Sequence, residues 1–279
     1  MTTTLRPNGP LQHRPDGARL RAYDVCDNGR PVGAVEIATV GRLGSWAGTI
    51  TGLRIDPAQR RRGRGTIAAL AAEEVLRGWG CAEVQISVPP DAEAATGLAT
   101  VLGYTERGRN MAKELGPEPP ALPEGARGRP MTEAEYTMWS EASLTLYARD
   151  WVERGLTPEQ ARDRAEGARA LLLPDGRATE GVWLSVLEQS GGRVGFLCVG
   201  RREVLPGRQG HYVYEVEVAE GRRGAGHGRS LMLLAERYAL ADGARLLGLH
   251  VFAGNTTALG LYTSLGYRTT AVNSVKRLL

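Results

Sequence analysis

LRIDPAQRRRGRGTIAALAAEEVLRGWGCAEVQISV, Leu53 to Val88, reappears in outline as VEVAEGRRGAGHGRSLMLLAERYALADGARLLGLHV, Val216 to Val251, when residue i is placed beside residue i + 163. No gap is needed. Ile55 meets Val218, Arg60 meets Arg223, Gly63 and Gly65 meet Gly226 and Gly228, and Gly80 meets Gly243. The register holds through Leu102-Gly103-Tyr104 on Leu265-Gly266-Tyr267, and it sets Asn110 and Lys113 on Asn273 and Lys276. A fixed period kept over this distance marks one supersecondary unit used twice. A shift of one residue extends the match backward, Val32-Gly33 on Val194-Gly195.

Each copy reads as strand, turn, strand, strand, glycine-rich loop, helix, strand, helix, strand. Ala68 to Leu76 and Leu231 to Ala239 place apolar residues at three-to-four spacing, whereas Val84 to Val88 alternates with period two. The expected fold class is therefore α/β, an α+β mixed sheet in two tandem domains. The second copy is preceded by two further helices, expected over 133–154 and 158–173. Thr132 with Glu135 and Thr157 with Gln160 each fit a capping box, and Pro158 stands where a missing N–H costs nothing. Gly116-Pro117-Glu118-Pro119-Pro120-Ala121-Leu122-Pro123 is stiff and extended. The expected boundaries are a truncated first domain over 1–116, a linker over 117–123 and a second domain over 124–279.

Length and composition agree with two small soluble domains: 279 residues, 42% hydrophobic and 24% charged, with no run of about 20 apolar residues for a membrane span. The opening residues MTTTLRPNGPLQHRPDG lack the apolar core of a secretory signal, so a cytoplasmic product without membrane attachment is expected. Cys26, Cys81 and Cys198 are odd in number and widely spaced, which points to free thiols, and His211, His227 and His250 show no ligand spacing, so no metal is expected. All but Lys113 and Lys276 of the 35 basic residues are arginine, but acidic residues are interleaved except at Arg60, Arg61, Arg62 and Arg64. That distribution speaks against a nucleic-acid partner and for a local phosphate site.

The chemistry starts at the glycines. Arg223-Gly224-Ala225-Gly226-His227-Gly228 follows a strand and opens a helix, so several backbone N–H groups point at one place and a phosphate can approach them. A dinucleotide-binding loop is the first competitor, but the GxGxxG spacing is not met, and no Gly-Lys-Ser/Thr follows for a Walker loop.

With the loop, the downstream run Asn255-Thr256-Thr257-Ala258-Leu259-Gly260-Leu261-Tyr262 and the closing Leu265-Gly266-Tyr267, the chain resembles the GNAT superfamily of acyl-CoA N-acyltransferases. The signature Arg/Gln-x-x-Gly-x-Gly/Ala occurs twice, at Arg60 to Gly65 and at Arg223 to Gly228. The resemblance covers 124–279 well and 18–115 less completely. It implies acetyl-CoA as co-substrate, held in a splay between the strand ending at Val218 and the strand through Leu247 to Val251. Val216, Glu217 and Val218 would pair with the pantetheine. Arg223, Gly224, Ala225, Gly226, His227, Gly228, Arg229 and Ser230 would take the diphosphate, and Asn255 would touch the cofactor. Tyr262 would protonate the leaving thiolate. Glu217 first, and Glu215 second, alternate on one strand face and are the carboxylates expected to deprotonate the amine. The implied acceptor is a small-molecule amine; a protein-directed acetylase, a non-catalytic acyl-CoA sensor and a homodimeric assembly remain open.

In the first copy Ala99 stands for Tyr262, Ala92 for Asn255, and Gly52 and Arg54 for Glu215 and Glu217. Its loop is kept, so Ile55, Arg60, Arg61, Arg62, Gly63, Arg64, Gly65 and Thr66 could hold a cofactor without turnover. The expected role of this degenerate domain is structural or acyl-CoA-binding.

Overall fold

The structure is a computed structural model describing residues 2–42, 45–152 and 156–278; residues 153 and 154, the expected end of the first inserted helix, lie outside these. The chain forms two compact units, Met1–Arg109 with Ala271–Leu279, and Asn110–Thr270. Neither divides at the Pro-rich segment. The expected 1–116 and 124–279 follow the repeat, whereas each compact unit takes its final strand from the other copy.

The first copy supplies β1 (Thr3–Pro7), β2 (Gln12–His13), β3 (Arg19–Asp27), β4 (Arg30–Arg42), β5 (Ser45–Ile55), α1 (Arg64–Gly78), β6 (Cys81–Val88), α2 (Glu93–Val101) and β7 (Thr105–Glu114). The linker and second copy supply β8 (Ala126–Pro130), α3 (Glu133–Val152), α4 (Pro158–Leu172), β9 (Val182–Gln189), β10 (Gly192–Leu205), β11 (Arg208–Val218), α5 (His227–Ala241), β12 (Leu246–Phe252), α6 (Thr256–Ser264) and β13 (Arg268–Arg277). The order read from the sequence is the order found. β1, in a leader whose composition suggests irregular chain, pairs antiparallel with β3 from Thr3 opposite Asp27 to Pro7 opposite Tyr23.

In the first unit the strands run β1-β3-β4-β5-β6-β13, with Val272 to Arg277 antiparallel to β6. α1 lays Ala68, Ala72 and Leu76 on a core of Val25, Val35, Ile37 and Val84. The helix sits so close that a Cβ on Gly48 would be 2.5 Å from Leu76 Cδ1, an overlap only glycine avoids. In the second unit the order is β7-β12-β11-β10-β9-β8. One face buries Leu231, Met232, Ala235, Leu247, Leu249 and Val251 under α5. The other face is covered at Met131, Trp139, Leu184, Val186 and Cys198 by α3 and its neighbours.

Both capping boxes form. Thr132 N–H donates to Glu135 Oε2 at 2.9 Å while Glu135 N–H donates to Thr132 Oγ1 at 3.3 Å, and Thr157 with Gln160 repeats the exchange at 3.1 and 3.3 Å. The exchanged strands carry a matching pair of ion pairs. In the second unit Lys113 of β7 meets buried Glu236 of α5 at 2.7 Å, and Tyr267 O–H donates to the same carboxylate at 3.3 Å. In the first, Lys276 of β13 meets buried Glu73 of α1 at 2.6 Å and lies 5.8 Å over the ring of Tyr104.

Candidate active site

β11 and β12 are parallel neighbours only at His211 with Leu247, Tyr212 with Gly248 and Val213 with Leu249. Beyond that, among the described residues, the two strands do not pair, although β11 continues to Val218 and β12 to Phe252. On its other side β11 stays paired with β10, but the register slips between Cys198 opposite Glu215 and Val199 opposite Val213. Tyr214 is the extra residue of this bulge, and a bulge bends and twists the strand that carries it. The result is an opening in the sheet whose β11 wall offers unpaired backbone groups to an extended ligand.

The glycine loop stands at the end of that wall. Gly224 and Gly226 take φ of +81° and +82°, and Gly226 is the N-cap of α5. With a left-handed residue at the cap, the N–H groups of His227 and Gly228 at the start of α5 face outward without an intrahelical acceptor, while Arg229 N–H closes on Gly226 O at 3.0 Å. Gly228 serves packing instead, since a Cβ there would be 3.2 Å from Leu261 Cδ2, and its absence lets α5 approach α6. Arg223 reaches back, its Nε donating to Val218 O at 3.4 Å, and Arg229 Nη2 donates to Ser264 Oγ at 2.6 Å. Gly224, Ala225 and Gly226 are exposed, His227 half-buried and Ser230 buried.

Asn255 caps α6, its Oδ1 accepting from Ala258 N–H at 3.0 Å. Further along the same helix, Tyr262 is 6% exposed and packs edge-on to Tyr267, ring centres 6.1 Å apart. Burial raises its phenol above the usual value, so it is protonated at neutral pH and available as an acid.

The two glutamates part company. Glu215 accepts from Trp139 Nε1 at 3.0 Å and Ser143 Oγ at 2.8 Å, which ties β11 to α3. Burial raises its pKa, and the two hydrogen bonds pull it back. Arg169 of α4 lies 4.4 Å over the Trp139 ring and donates to Ser140 Oγ at 2.5 Å, adding a positive charge behind this network. Glu217 is exposed. The spacing of Trp139 on its helix suggests a core residue. It is core at 2% exposure, but its N–H is also the group that reads Glu215, and an indole at helical spacing from Ser143 is the only hint of that.

The first copy repeats the frame without the side chains. β5 pairs parallel with β6 only from Trp46 to Thr49, and Gly63 at φ +74° caps α1. Arg61, at φ +60°, holds the conformation that Gly224 holds in the second copy. Arg60 Nε donates to Ile55 O at 2.8 Å, as Arg223 does to Val218. Arg64 is turned inward, 4% exposed, bonded to Asp27 at 2.5 Å and to Gln59 O at 3.2 Å, while Arg60, Arg61 and Arg62 remain exposed. Ala92 caps α2 without a side-chain bond, and Ala99 fills the place of a phenol.

The GNAT acetyltransferase family model matches residues 4–104 and 141–267, one match in each copy. The chain is a GNAT acetyltransferase. It is 30% identical over 283 aligned positions to a mycothiol acetyltransferase of Saccharomonospora viridis, covering 95% of this chain and 86% of the relative. A second of that name, from Amycolatopsis mediterranei, is 29% identical, covering 94% and 85%. Its fold is shared with a tandem GNAT protein from the clavulanic acid biosynthesis pathway, TM-score 0.53 at 19% identity over 95% of this chain and 85% of that one. A GCN5-related N-acetyltransferase from Sphaerobacter thermophilus gives a TM-score of 0.54 at 20% identity, over 92% and 80%. Members of the family use acetyl-CoA. Among the described residues no group of three or more His, Cys, Asp or Glu is placed to hold a metal ion, and no helix is long and apolar enough to cross a membrane.

Proposed function

We propose that the second unit transfers an acetyl group from acetyl-CoA to a small primary amine by direct attack, and that the first copy is non-catalytic. The observation that carries this reading is the alignment, in one unit, of the β11–β12 opening, the left-handed loop at α5 and the buried phenol of Tyr262. The opening would accept the extended arm of the cofactor beside Val216, Glu217 and Val218. The outward N–H groups of Gly224 to Gly228 would bind its diphosphate, with Arg223 and Arg229 adding positive charge. Asn255 both caps α6 and fixes the helix that presents Tyr262.

Tyr262 would hold a proton for the departing sulfur, and the carboxylates of Glu217 and Glu215 give the facing side a negative field that draws an ammonium group. Glu217 has the more accessible carboxylate of the two and is the first candidate to take the amine's proton. Relatives named for acetylating mycothiol support a small molecule as acceptor. Tyr262→Phe should lower kcat by about 100-fold, the usual general-acid range, with the Kd for acetyl-CoA unchanged. Unchanged kcat would remove the phenol from the reaction.

The first copy keeps its loop and three exposed arginines but has no phenol and no carboxylate at the matching positions. Calorimetric titration of the full chain with acetyl-CoA tests it, because the segment 1–116 lacks a strand of its own compact unit. A Gly226→Val chain, with the second loop disabled, that still binds one equivalent makes the first copy an acyl-CoA site. Loss of all binding makes it a scaffold.

A further inference from the structure

Glu215 stands two residues past Val213, the last β11 residue paired with β12, so its carboxylate is set where the sheet opens. It lies on the α3 face, opposite Cys198 of β10, whose buried thiol is pushed up to about 12 and so adds no charge. Trp139 and Ser143, four residues apart on one face of α3, bring their donors to its two oxygens at 3.0 and 2.8 Å. An indole N–H only donates, so Oε1 must offer a lone pair, as an ionised carboxylate does. Neutral donors bring no charge, however. Arg169 of α4 has the Trp139 ring at 4.4 Å and the Ser140 hydroxyl at 2.5 Å as its partners. Among the described residues no ion pair joins Arg169 to an acid or Glu215 to a base. The indole thus separates the two charges, with the arginine over its face and the carboxylate at its N–H.

We infer that Arg169 and Trp139 are positioning residues that keep Glu215 a carboxylate while leaving it without a cation of its own. What that anion serves rests on the acetyl-transfer reading above: an acceptor arriving as its ammonium ion supplies the cation that the fold withholds. A cation over an aromatic face draws density from the ring and strengthens its N–H as a donor, so Arg169 acts on Glu215 through Trp139 as well as across space. Burial is the largest influence and raises the Glu215 pKa. The Ser143 and Trp139 bonds oppose it, Glu217 adds to the rise, and Arg169 lowers it. The other ionisable groups on this face are Tyr212 and Tyr214 of β11, Arg193 and Arg202 of β10, His250 of β12, Tyr136 of α3 and Arg164 of α4. The three arginines lie over the rings of Phe196, Tyr212 and Trp151. A buried charge costs stability, and the first copy does without this one, since Gly52 holds the matching position and no helix pair precedes its strands. The arrangement in the second copy therefore points to use, not to packing.

The test follows the Glu215 carboxyl carbon by NMR in the full chain labelled with carboxyl-enriched glutamate, its signal assigned with Glu215→Gln. Beside it, kcat/KM is measured against pH with acetyl-CoA and three probe amines, 2-phenylethylamine, glucosamine and lysine methyl ester. Arg169→Met should move the carboxyl titration to higher pH and lower kcat/KM by about tenfold near about pH 6, with the deficit closing as pH rises. Arg169→Lys, which keeps the charge, should restore most of both. Trp139→Phe keeps a ring under Arg169 but loses the donor, and should shift the titration in the same direction. Affinity for acetyl-CoA should be unchanged in all three. A carboxyl titration that Arg169→Met leaves in place overturns the inference, with acetyl transfer still standing. A shifted titration with an unchanged rate profile overturns its part in the reaction. A wild type that binds acetyl-CoA, acetylates none of the probes and still shows the dependence on Arg169 removes the transfer reading and supports the tie between the two charges. If Arg169→Met does not fold, the wild type decides: the Trp139 indole N–H signal must move with the same midpoint as the Glu215 carboxyl, and an indole signal blind to that titration overturns the inference.

Discussion

Burial acts on Tyr262 and His211 in opposite directions. It raises the phenol, keeping an acid charged with its proton, and it lowers the imidazole of His211, which is 1% exposed and tilted against the Trp183 ring, centres 4.9 Å apart. His211 Nε2 is 3.2 Å from Asp242 Oδ2, but neither ring nitrogen makes an aligned hydrogen bond among the described residues, so the nearby carboxylate only partly offsets desolvation. The folded chain thus resists a proton that the unfolded chain accepts at about pH 6.5. Stability from this group is complete above that pH and declines as pH falls through it toward the lower folded value. Asp242, held below the usual carboxylate range by Arg201, adds a second loss further into acid. Thermal unfolding between pH 7.5 and about 5 should show Tm falling in the wild type and nearly flat in His211→Phe; parallel curves would deny His211 that role. Tyr262 and Asn255 were singled out by the family resemblance of the run after the glycine loop, which falls on α6 with Asn255 as its N-cap. The tie of Glu215 to Trp139 was not, because 76 residues separate the partners.

At the scale of elements the local signals carried far: both capping boxes, the glycine caps of α1 and α5 and the period-two strands formed where the residue types demanded. What they could not show is the work an element does across space. α3 reads as a covering helix, yet it also holds the carboxylate on β11. Ser143→Ala should cost about 1.5–3 kcal/mol, the range for a hydrogen bond to a charged group, and urea unfolding measures it; a change under about 0.5 kcal/mol would mean water replaces the hydroxyl. The loop gives a complementary case. Gly226→Ala puts a Cβ at φ +82°, where an L residue is strained by about 1–2 kcal/mol. Space around it is open, so the fold should survive while acetyl-CoA binding weakens. Calorimetry that finds full affinity would show that the cap conformation is not what binds the diphosphate.

The whole molecule is built from two copies that do not close on themselves. Periodicity cannot reveal this, since Lys113 and Lys276 keep the same register whether each strand returns to its own sheet or completes the other. The ion pairs settle it: Lys113 meets Glu236, and Lys276 meets Glu73. Each glutamate is 4% exposed at its side chain, so removing its lysine leaves a buried carboxylate without a counterion. Breaking a buried pair costs about 3–5 kcal/mol. The lysines are about a quarter exposed, so a lower cost, about 1–3 kcal/mol, is expected for Lys113→Met or Lys276→Met. The consequence for fragments is sharper. Residues 1–116 lack the strand beside β6, and residues 124–279 lack the strand beside β12, so each fragment bares a sheet edge and leaves a glutamate unpaired. Such edges invite aggregation. Each fragment expressed alone should fail to give a cooperative unfolding transition, and the two co-expressed should yield a soluble pair that binds acetyl-CoA. A monomeric, cooperatively folding 124–279 would show that the second copy can close its sheet with its own strand. The first copy, with Ala99 and Ala92 where the second has Tyr262 and Asn255, would then have lost the structural reason for its retention given by this exchange.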